Sequence, residues 1–461
     1  MTVQAPSHTA PRTKLNPALV LAGIYAVLVS AYVVALLIGK PPLAPGPGNI
    51  VQGGDSELYR YAGSHWPWDP QAARVAPLFP WLLTLCLRNI RAVVIVQSML
   101  SIGAWVWLAH AVRRLCANVR LGYAAYLLVL SLSLAPEIIM WNGVVGSEAV
   151  SIIALVATLA AFATAVRVRT PRWWLASGLI GALSVFARDT NALAAGAIAA
   201  IALVVAIRAP TRVATSLRHR VRVHAVALTL VCIVCVLANN ALANQADPPR
   251  WYFPVQENIL RRVLPNEAFT AWFQRAGLPQ IEQLRSVSGD NYFLQHVRLE
   301  QGNEFAVFRS WLRANGQATY SRFLIAHPMW SAKSFVVERD FVWLPSVRTY
   351  TSVSESTPGA LYGLFGAMTF WRSSELILAL IGVSFLVLMA NALWSSGDRA
   401  LRLGIGVSLF VGVAHAFASY VADDLEVGRH VLTANVHVRL MVFIVVALAV
   451  DRAVTKRPAT P

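Results

Sequence analysis

The run Gly54-Asp55-Ser56-Glu57-Leu58-Tyr59 puts two carboxylates two positions apart, just after the first long apolar stretch, Pro17 to Ile38, and a Pro/Gly-rich segment, Lys40 to Gly54. A carboxylate held at a lipid surface can take the proton of an attacking hydroxyl, a contribution of about 10²–10⁴-fold for a positioned general base. Two residues apart on a helix, Asp55 and Glu57 do not share a face, so they predict distinct roles. The alternative is structural: Asp55 as the N-cap of a short helix, Ser56 to Gly63.

Other charged residues fall at the ends of apolar runs. Glu148, in Gly146-Ser147-Glu148-Ala149, opens one such run, where it is either a cap of the helix N-terminus or an orienting group for chemistry. Arg188, in Ala187-Arg188-Asp189, offers a guanidinium fork suited to a phosphate; its bland reading is a salt bridge to Asp189 or a headgroup contact. Arg429 and His430 precede the last apolar run, with Asp423, Asp424 and Glu426 just upstream. That group is either a solvated cluster of paired charges or a second phosphate-binding arginine. Arg74 is a further candidate. Arg439 and His437 lie about two turns inside the last run, where ionisable groups usually face the bundle interior; a later helix start would leave Arg439 at the interface. His110, His224 and His415 are isolated, and no histidines and carboxylates have metal-ligand spacing, so no metal is predicted. Cys232-x-x-Cys235 lies inside an apolar run and reads as packing.

These residues need a bilayer to position them. The 461 residues are 57% hydrophobic and 13% charged, about half the charge of a soluble domain. About ten membrane helices are predicted, near 17–38, 92–112, 121–136, 145–166, 173–187, 190–207, 223–239, 374–394, 403–421 and 432–450. With the N-terminus cytoplasmic, the cytoplasmic segments hold 18 basic residues against Asp398 and Asp451, which carries +16 of the net +17. The basicity is therefore topological, and it excludes nucleic acid as the partner it would otherwise suggest. Both termini are expected in the cytoplasm of a multi-pass plasma-membrane protein, with the acids outside. The N-terminal span reads as an uncleaved anchor.

The expected class is all-α integral membrane. Residues 1–239 form a seven-span block whose first external loop, 40–91, carries the acids. Residues 240–358 form an external, mainly helical subdomain with amphipathic helices near 267–273 and 304–323, and residues 359–461 add three spans and a basic tail. Within the first loop the apolar stretch after Arg74 is too short to cross and reads as an interfacial helix, with Trp66, Trp68 and Trp81 at headgroup depth.

In this order the motifs resemble the GT-C superfamily of integral-membrane glycosyltransferases, which includes the protein mannosyltransferases and the lipid A aminoarabinose transferases. The resemblance rests on Gly54-Asp55-Ser56-Glu57-Leu58-Tyr59, on Arg74-Val-Ala-Pro-Leu-Phe-Pro80, on Gly146-Ser147-Glu148-Ala149, on Ala187-Arg188-Asp189 and on Asp424-x-Glu426-x-x-Arg429-His430. It covers the seven-span block and the end of the chain, and the external loop more loosely, through Arg262-Val263-Leu264-Pro265 and His327-Pro328. It implies a polyprenyl-phosphate sugar donor and an acceptor hydroxyl on a lipid-linked glycan, a polysaccharide or a protein. Asp55 would be the base of an inverting transfer, and Glu57, Tyr59 and Glu148 supporting or acceptor-orienting groups. Arg74, Arg188, Arg429 and His430 would bind the donor phosphate. No cofactor is implied, although some superfamily members use a divalent cation and the Asp55/Glu57 pair leaves that open. A multi-pass transporter, or a membrane scaffold without catalysis, are the rival classes; transporters usually carry internal repeats and polar groups at the midplane.

Overall fold

The computed structural model describes residues 16–38, 55–168, 170–207, 215–289, 292–344, 360–390, 399–422, 424 and 427–455. The described residues are helices and turns, without strands. The Lys40–Gly54 run, Asp423, Glu426 and the basic tail beyond Thr455 lie outside them.

The N-terminal part runs α1 (Pro17–Ile38), α2 (Ser56–Ala62), α3 (Leu78–Leu85), α4 (Ile90–Arg113), α5 (Val119–Ser133), α6 (Pro136–Ile139), α7 (Ser147–Val168), α8 (Pro171–Ser184), α9 (Ala192–Ile207) and α10 (Thr215–Gln245). Local chemistry sets several of these starts. The Asn118 side chain accepts from the Arg120 and Leu121 amides at 2.9 and 3.3 Å, and Asn89 accepts from Ala92 at 3.2 Å. Pro171 opens α8, where its missing N–H costs nothing.

Next comes a set of short helices: α11 (Tyr252–Asn258), α12 (Glu267–Arg275), α13 (Glu282–Ser286), α14 (Tyr292–Gln301), α15 (Ala306–Trp311), α16 (Gln317–Ala326), α17 (Pro328–Val337) and α18 (Arg339–Trp343). They enclose a core of their own, in which Phe273, Phe308, Leu312 and Phe323 are wholly buried. Edge-to-face rings bind it together, as in Phe269 on Phe323 at 5.0 Å. Asn266 caps α12 by accepting from the Phe269 amide. The helix expected over 304–323 is interrupted: a π turn, Leu312–Gly316, separates α15 from α16. The chain closes with α19 (Ala360–Thr369), α20 (Ser374–Met389), α21 (Arg399–Ala422), α22 (Val427–His430) and α23 (Leu432–Thr455).

Six described helices are long and apolar enough to cross a membrane: Pro17–Leu37, Ile90–Arg113, Ser147–Val168, Val226–Gln245, Leu401–Ala422 and Leu432–Thr455. Two bent pairs, Val119–Ser133 with Pro136–Gly143 and Leu361–Thr369 with Ser374–Met389, raise the number to eight. The expected ten is not confirmed among the described residues. The two expected spans outside this set are 173–187 and 190–207, where α8 and α9 have 14 and 16 described residues and a bilayer core asks for about 20. Arg188-Asp189-Thr190-Asn191 breaks them apart, in line with the expected boundaries at 187 and 190.

The helix α23 is the hub. Nearly every residue from Leu432 to Val445 is buried, against α5, α7, α20 and α21. Buried polar side chains on it make specific contacts. Asn435 donates to the Val342 carbonyl at 2.8 Å, and Arg439 donates to the Trp343 carbonyl at 3.1 Å while lying 4.0 Å from the Phe370 ring centroid. Arg439 is fully buried, in line with a side chain that faces the bundle interior. Cys232 packs among Ala182, Ala199 and Leu228 between α8, α9 and α10, in line with the packing reading of that pair.

The two ends of the bundle differ. At one end Asp451 accepts from the Ala117 and Asn118 amides at 2.9 and 2.7 Å, and Arg452 and Arg167 reach the turn between α4 and α5. The arginines of the charge argument that close α4 and α7 and open α8 lie at that end. The starts of α7 and α23, the end of α8 and the entry to α2 lie at the other.

Candidate functional site

Asp55 is the N-cap residue of α2, yet its side chain makes no capping hydrogen bond. Its Oδ2 instead accepts from Arg429 Nη2 at 2.9 Å. The capping reading fails because an arginine from the far end of the chain takes the carboxylate. Two polar contacts fix α2 against the start of α7. Ser56 Oγ donates to the Val145 carbonyl at 3.3 Å, and Tyr59 Oη donates to Ser147 Oγ at 3.0 Å. Beneath them Tyr59 packs edge-on against Phe79 of α3, in a small core with Leu83, Val93 and Val145. Burial, followed by the Glu148 carboxylate nearby, pushes the Tyr59 phenol up to about 12 against the opposing pull of Arg429. Tyr59 is therefore a neutral hydrogen-bond donor and not a base.

Glu148 is the second residue of α7 and 1% exposed. Its Oε1 receives both Arg188 Nη2, at 2.6 Å, and Arg429 Nε in a still closer contact. So Glu148 orients arginines. Arg188 ignores its neighbour Asp189, which pairs with Arg250 at 2.7 Å. From extended backbone between α8 and α9, Arg188 also donates through Nη1 to the carbonyls of Arg429 and His430, at 3.1 and 3.3 Å. Through these bonds Arg188 engages the backbone of Arg429 and His430. Two guanidinium groups and two carboxylates, from four separate helix ends, form one connected set.

Burial makes that set costly to assemble and hard to disturb. A buried ion pair must recover several kcal/mol of desolvation per ion, which needs good geometry and further hydrogen bonds. Arg188 supplies further bonds to the carbonyls of Arg429 and His430, while Asp55, 44% exposed, forms the outward edge. Arg429 belongs to no solvated cluster: it is 5% exposed. Asp424 is buried too, paired with Arg262 at 2.8 Å and Arg261 at 3.4 Å. Arg262 lies on the π turn Ile259–Val263, stacks 4.2 Å from the Tyr420 ring centroid and donates to the Tyr420 carbonyl at 3.0 Å. Asp424 therefore fastens the subdomain of short helices to α21.

On its open side Asp55 lines a cleft of about 640 Å³ together with Glu57, Arg60, Ser64, Gln71 and Arg74. Glu57 is exposed and pairs with Arg60 at 3.0 Å. Asp69 accepts from the Gln71 and Ala72 amides, which hold its carboxyl below the usual range and start the 3₁₀ turn Ala72–Arg74. Arg74 leaves that turn and lies 5.6 Å from the Phe253 ring centroid of α11. It makes no ion pair with Glu148 among the described residues, so it lies outside the set that joins Arg188 and Arg429, although it lines the same cleft as Asp55. Trp66, Trp68, Leu85 and Leu87 are exposed on the same loop, as side chains in a lipid interface would be.

Sequence reading missed Arg250. Its Nε donates to the Ala73 carbonyl at 2.6 Å and its Nη2 to the Val75 carbonyl at 3.0 Å, so it braces the turn that presents Arg74. The Asp247-Pro248-Pro249-Arg250 stretch that delivers it marks a fixed turn and was the available signal.

No known protein family and no curated protein matches the chain. Among solved structures it is similar to the oligosaccharyltransferase of Archaeoglobus fulgidus. Against the form tethered to an acceptor peptide with the NVT sequon, identity is 12% and the TM-score 0.42, over 93% of this chain and 49% of that one. Against the apo form the values are 10%, 0.43, 94% and 51%. For AglB of the same organism, in complex with an inhibitory peptide and a dolichol-phosphate, they are 13%, 0.40, 96% and 52%. The chain spans about half the length of these proteins, and identities and scores this low do not place it in their family.

Proposed function

We propose that the chain is a membrane glycosyltransferase that moves a sugar from a polyprenyl-phosphate donor to an acceptor hydroxyl, with Asp55 as general base. The observation that carries this reading is the convergence of Asp55 with the buried set Arg429–Glu148–Arg188 at the end of the bundle opposite the Arg452 cluster. A carboxylate at the mouth of a cleft, backed by two arginines, suits a reaction that deprotonates a hydroxyl and releases a phosphate.

In the transfer, the acceptor oxygen attacks the anomeric carbon as its proton passes to Asp55 Oδ1 or Oδ2. The bond from that carbon to the phosphate oxygen breaks, and its electron pair leaves with the lipid phosphate, so the anomeric centre inverts. Arg188 and Arg429 would face the charge that grows on the phosphate. Glu148 holds both guanidinium groups before any substrate arrives, so little reorganisation remains for the transition state. Tyr59 and Ser56 fix the angle at which α2 presents Asp55. The bilayer holds the donor at the height of the site, with both termini of the chain on the cytoplasmic face and the site outside.

The test is Asp55→Asn in purified, membrane-reconstituted protein, with transfer measured from a polyprenyl-phosphate sugar. Loss of transfer with an unchanged melting curve is the expected result. A folded variant with full activity rules out the base assignment.

The transporter reading keeps one observation on its side: His415, His437 and Arg439 are buried in the bundle. Arg439 already serves the carbonyls of Trp343 and Trp371, and His437 meets Ser408 at 2.9 Å. Both ring nitrogens of His415 are buried without a hydrogen-bond partner among the described residues, so the preference for the enzyme reading rests on the Asp55–Arg429–Glu148–Arg188 set.

A further inference from the structure

The cleft on the open side of Asp55 carries a preference of its own, which rests on the glycosyltransferase reading for its purpose but not for its detection. We propose that it is the acceptor subsite, and that it takes a glycan unit bearing an anionic group, carboxylate or phosphate, which Arg74 recognises.

The wall is mixed, with Leu58 and Tyr61 beside the polar side chains. Glu57, Arg60, Ser64 and Gln71 face a space of about 640 Å³, the size of a small-molecule site, and such polar groups hydrogen-bond the hydroxyls of a sugar. The charges decide the sign. Glu57 is matched by Arg60 at 3.0 Å, and Asp55 by Arg429 at 2.9 Å. Arg74 forms no ion pair among the described residues, and Glu300 acts on it only from beyond ion-pair distance, so its charge is the least closely matched in the cleft.

Arg74 is also prepared for a ligand. Its backbone sits in the 3₁₀ turn started by Asp69, and Arg250 grips the carbonyls on either side of it. Its guanidinium lies against Phe253, which belongs to the subdomain of short helices. A guanidinium held near a ring face keeps its N–H donors for a planar carboxylate or a phosphate. The donor phosphate is served elsewhere: Arg188 and Arg429 share Glu148 on the buried side of Asp55. Asp55 therefore stands between a deep arginine pair for the donor and a shallow arginine for the acceptor.

The experiment measures binding to the full chain in lipid nanodiscs, by calorimetry or saturation-transfer NMR, with three probes: trigalacturonate, the neutral maltotriose and farnesyl phosphate. Wild type is expected to bind trigalacturonate at least about tenfold more tightly than maltotriose, as one charge-assisted pair allows. Arg74→Gln should remove that difference and Arg74→Lys restore part of it, with maltotriose and farnesyl phosphate unchanged; the retained maltotriose binding also reports a folded cleft. Equal binding of the two trisaccharides by wild type overturns the proposal. So does a loss of farnesyl phosphate in Arg74→Gln matching that of trigalacturonate, which would make Arg74 a ligand of the donor phosphate. Because the readout is binding, its failure leaves the Asp55→Asn transfer assay to judge the enzyme reading separately.

Discussion

Arg429 Nη2 and Asp55 Oδ2 lie 2.9 Å apart although 374 positions separate them in the chain. Their meeting joins the first loop of the protein to the turn before its last helix, so one contact ties the proposed base to the proposed phosphate ligand. Arg429→Lys keeps the charge but loses the fork that spans Asp55 and Glu148. Transfer should fall by about tenfold or more in kcat/KM, the size of a charged hydrogen bond, mainly through the donor KM. An unchanged donor KM argues against phosphate binding by Arg429.

Glu148 takes both arginines on one oxygen, and its removal leaves two buried guanidinium groups facing each other. Breaking a buried pair from one side costs about 3–5 kcal/mol. Glu148→Ala should therefore lower the unfolding midpoint in detergent strongly. Glu148→Gln, which keeps an acceptor oxygen, should lower it less. Equal stability of Glu148→Ala and wild type would show that the set is not structurally coupled.

Tyr59 has its phenol pushed up to about 12, so it stays protonated throughout the range in which an enzyme is assayed. Tyr59→Phe removes the bond to Ser147 and no titrating group. The pH–rate profile from about pH 5 to 10 should keep its shape while the rate drops severalfold. A new or lost inflection in that range means the phenol takes part in proton transfer.

Arg262 and Asp424 link the subdomain of short helices to α21 at 2.8 Å, with Tyr420 stacked on the guanidinium. Arg262→Ala leaves Asp424 buried with the half-exposed Arg261. The expected loss is about 3–5 kcal/mol, seen as earlier proteolysis between α10 and α19 by limited trypsin digestion. Wild-type protease resistance would mean that the apolar core of the subdomain holds it in place without the pair.

Gly122 lies where α5 turns away from α4, and a Cβ there would come within 2.9 Å of the Arg113 carbonyl oxygen. Backbone cannot move aside as a side-chain tip can, so Gly122→Ala should destabilise by about 1–3 kcal/mol. The unfolding midpoint reads it, with Gly103→Ala, whose Cβ meets nothing within 4 Å, as the control.

By itself the sequence determined the class of the protein, because hydropathy over about 20 residues is a local property that a bilayer reads directly. It also determined which charges share an end of the bundle. Asp55, Glu148, Arg188 and Arg429 each sit at the end of an apolar run, and the alternation of spans leaves them no other side. The tertiary structure decided the rest. Which carboxylate meets which arginine depends on how α2, α7, α8 and α23 pack, and no spacing along the chain encodes that. Arg188 had Asp189 beside it and chose Glu148; Asp55 had its own helix to cap and chose Arg429. The break between α8 and α9 was legible by contrast: Arg188 and Asp189 interrupt an apolar stretch, and the expected spans stop at 187 and resume at 190. Arg74, grouped by type with Arg188 and Arg429, was separated from them by a turn that Arg250 fixes from far along the chain. Residue type and spacing named the members of the site; only packing paired them.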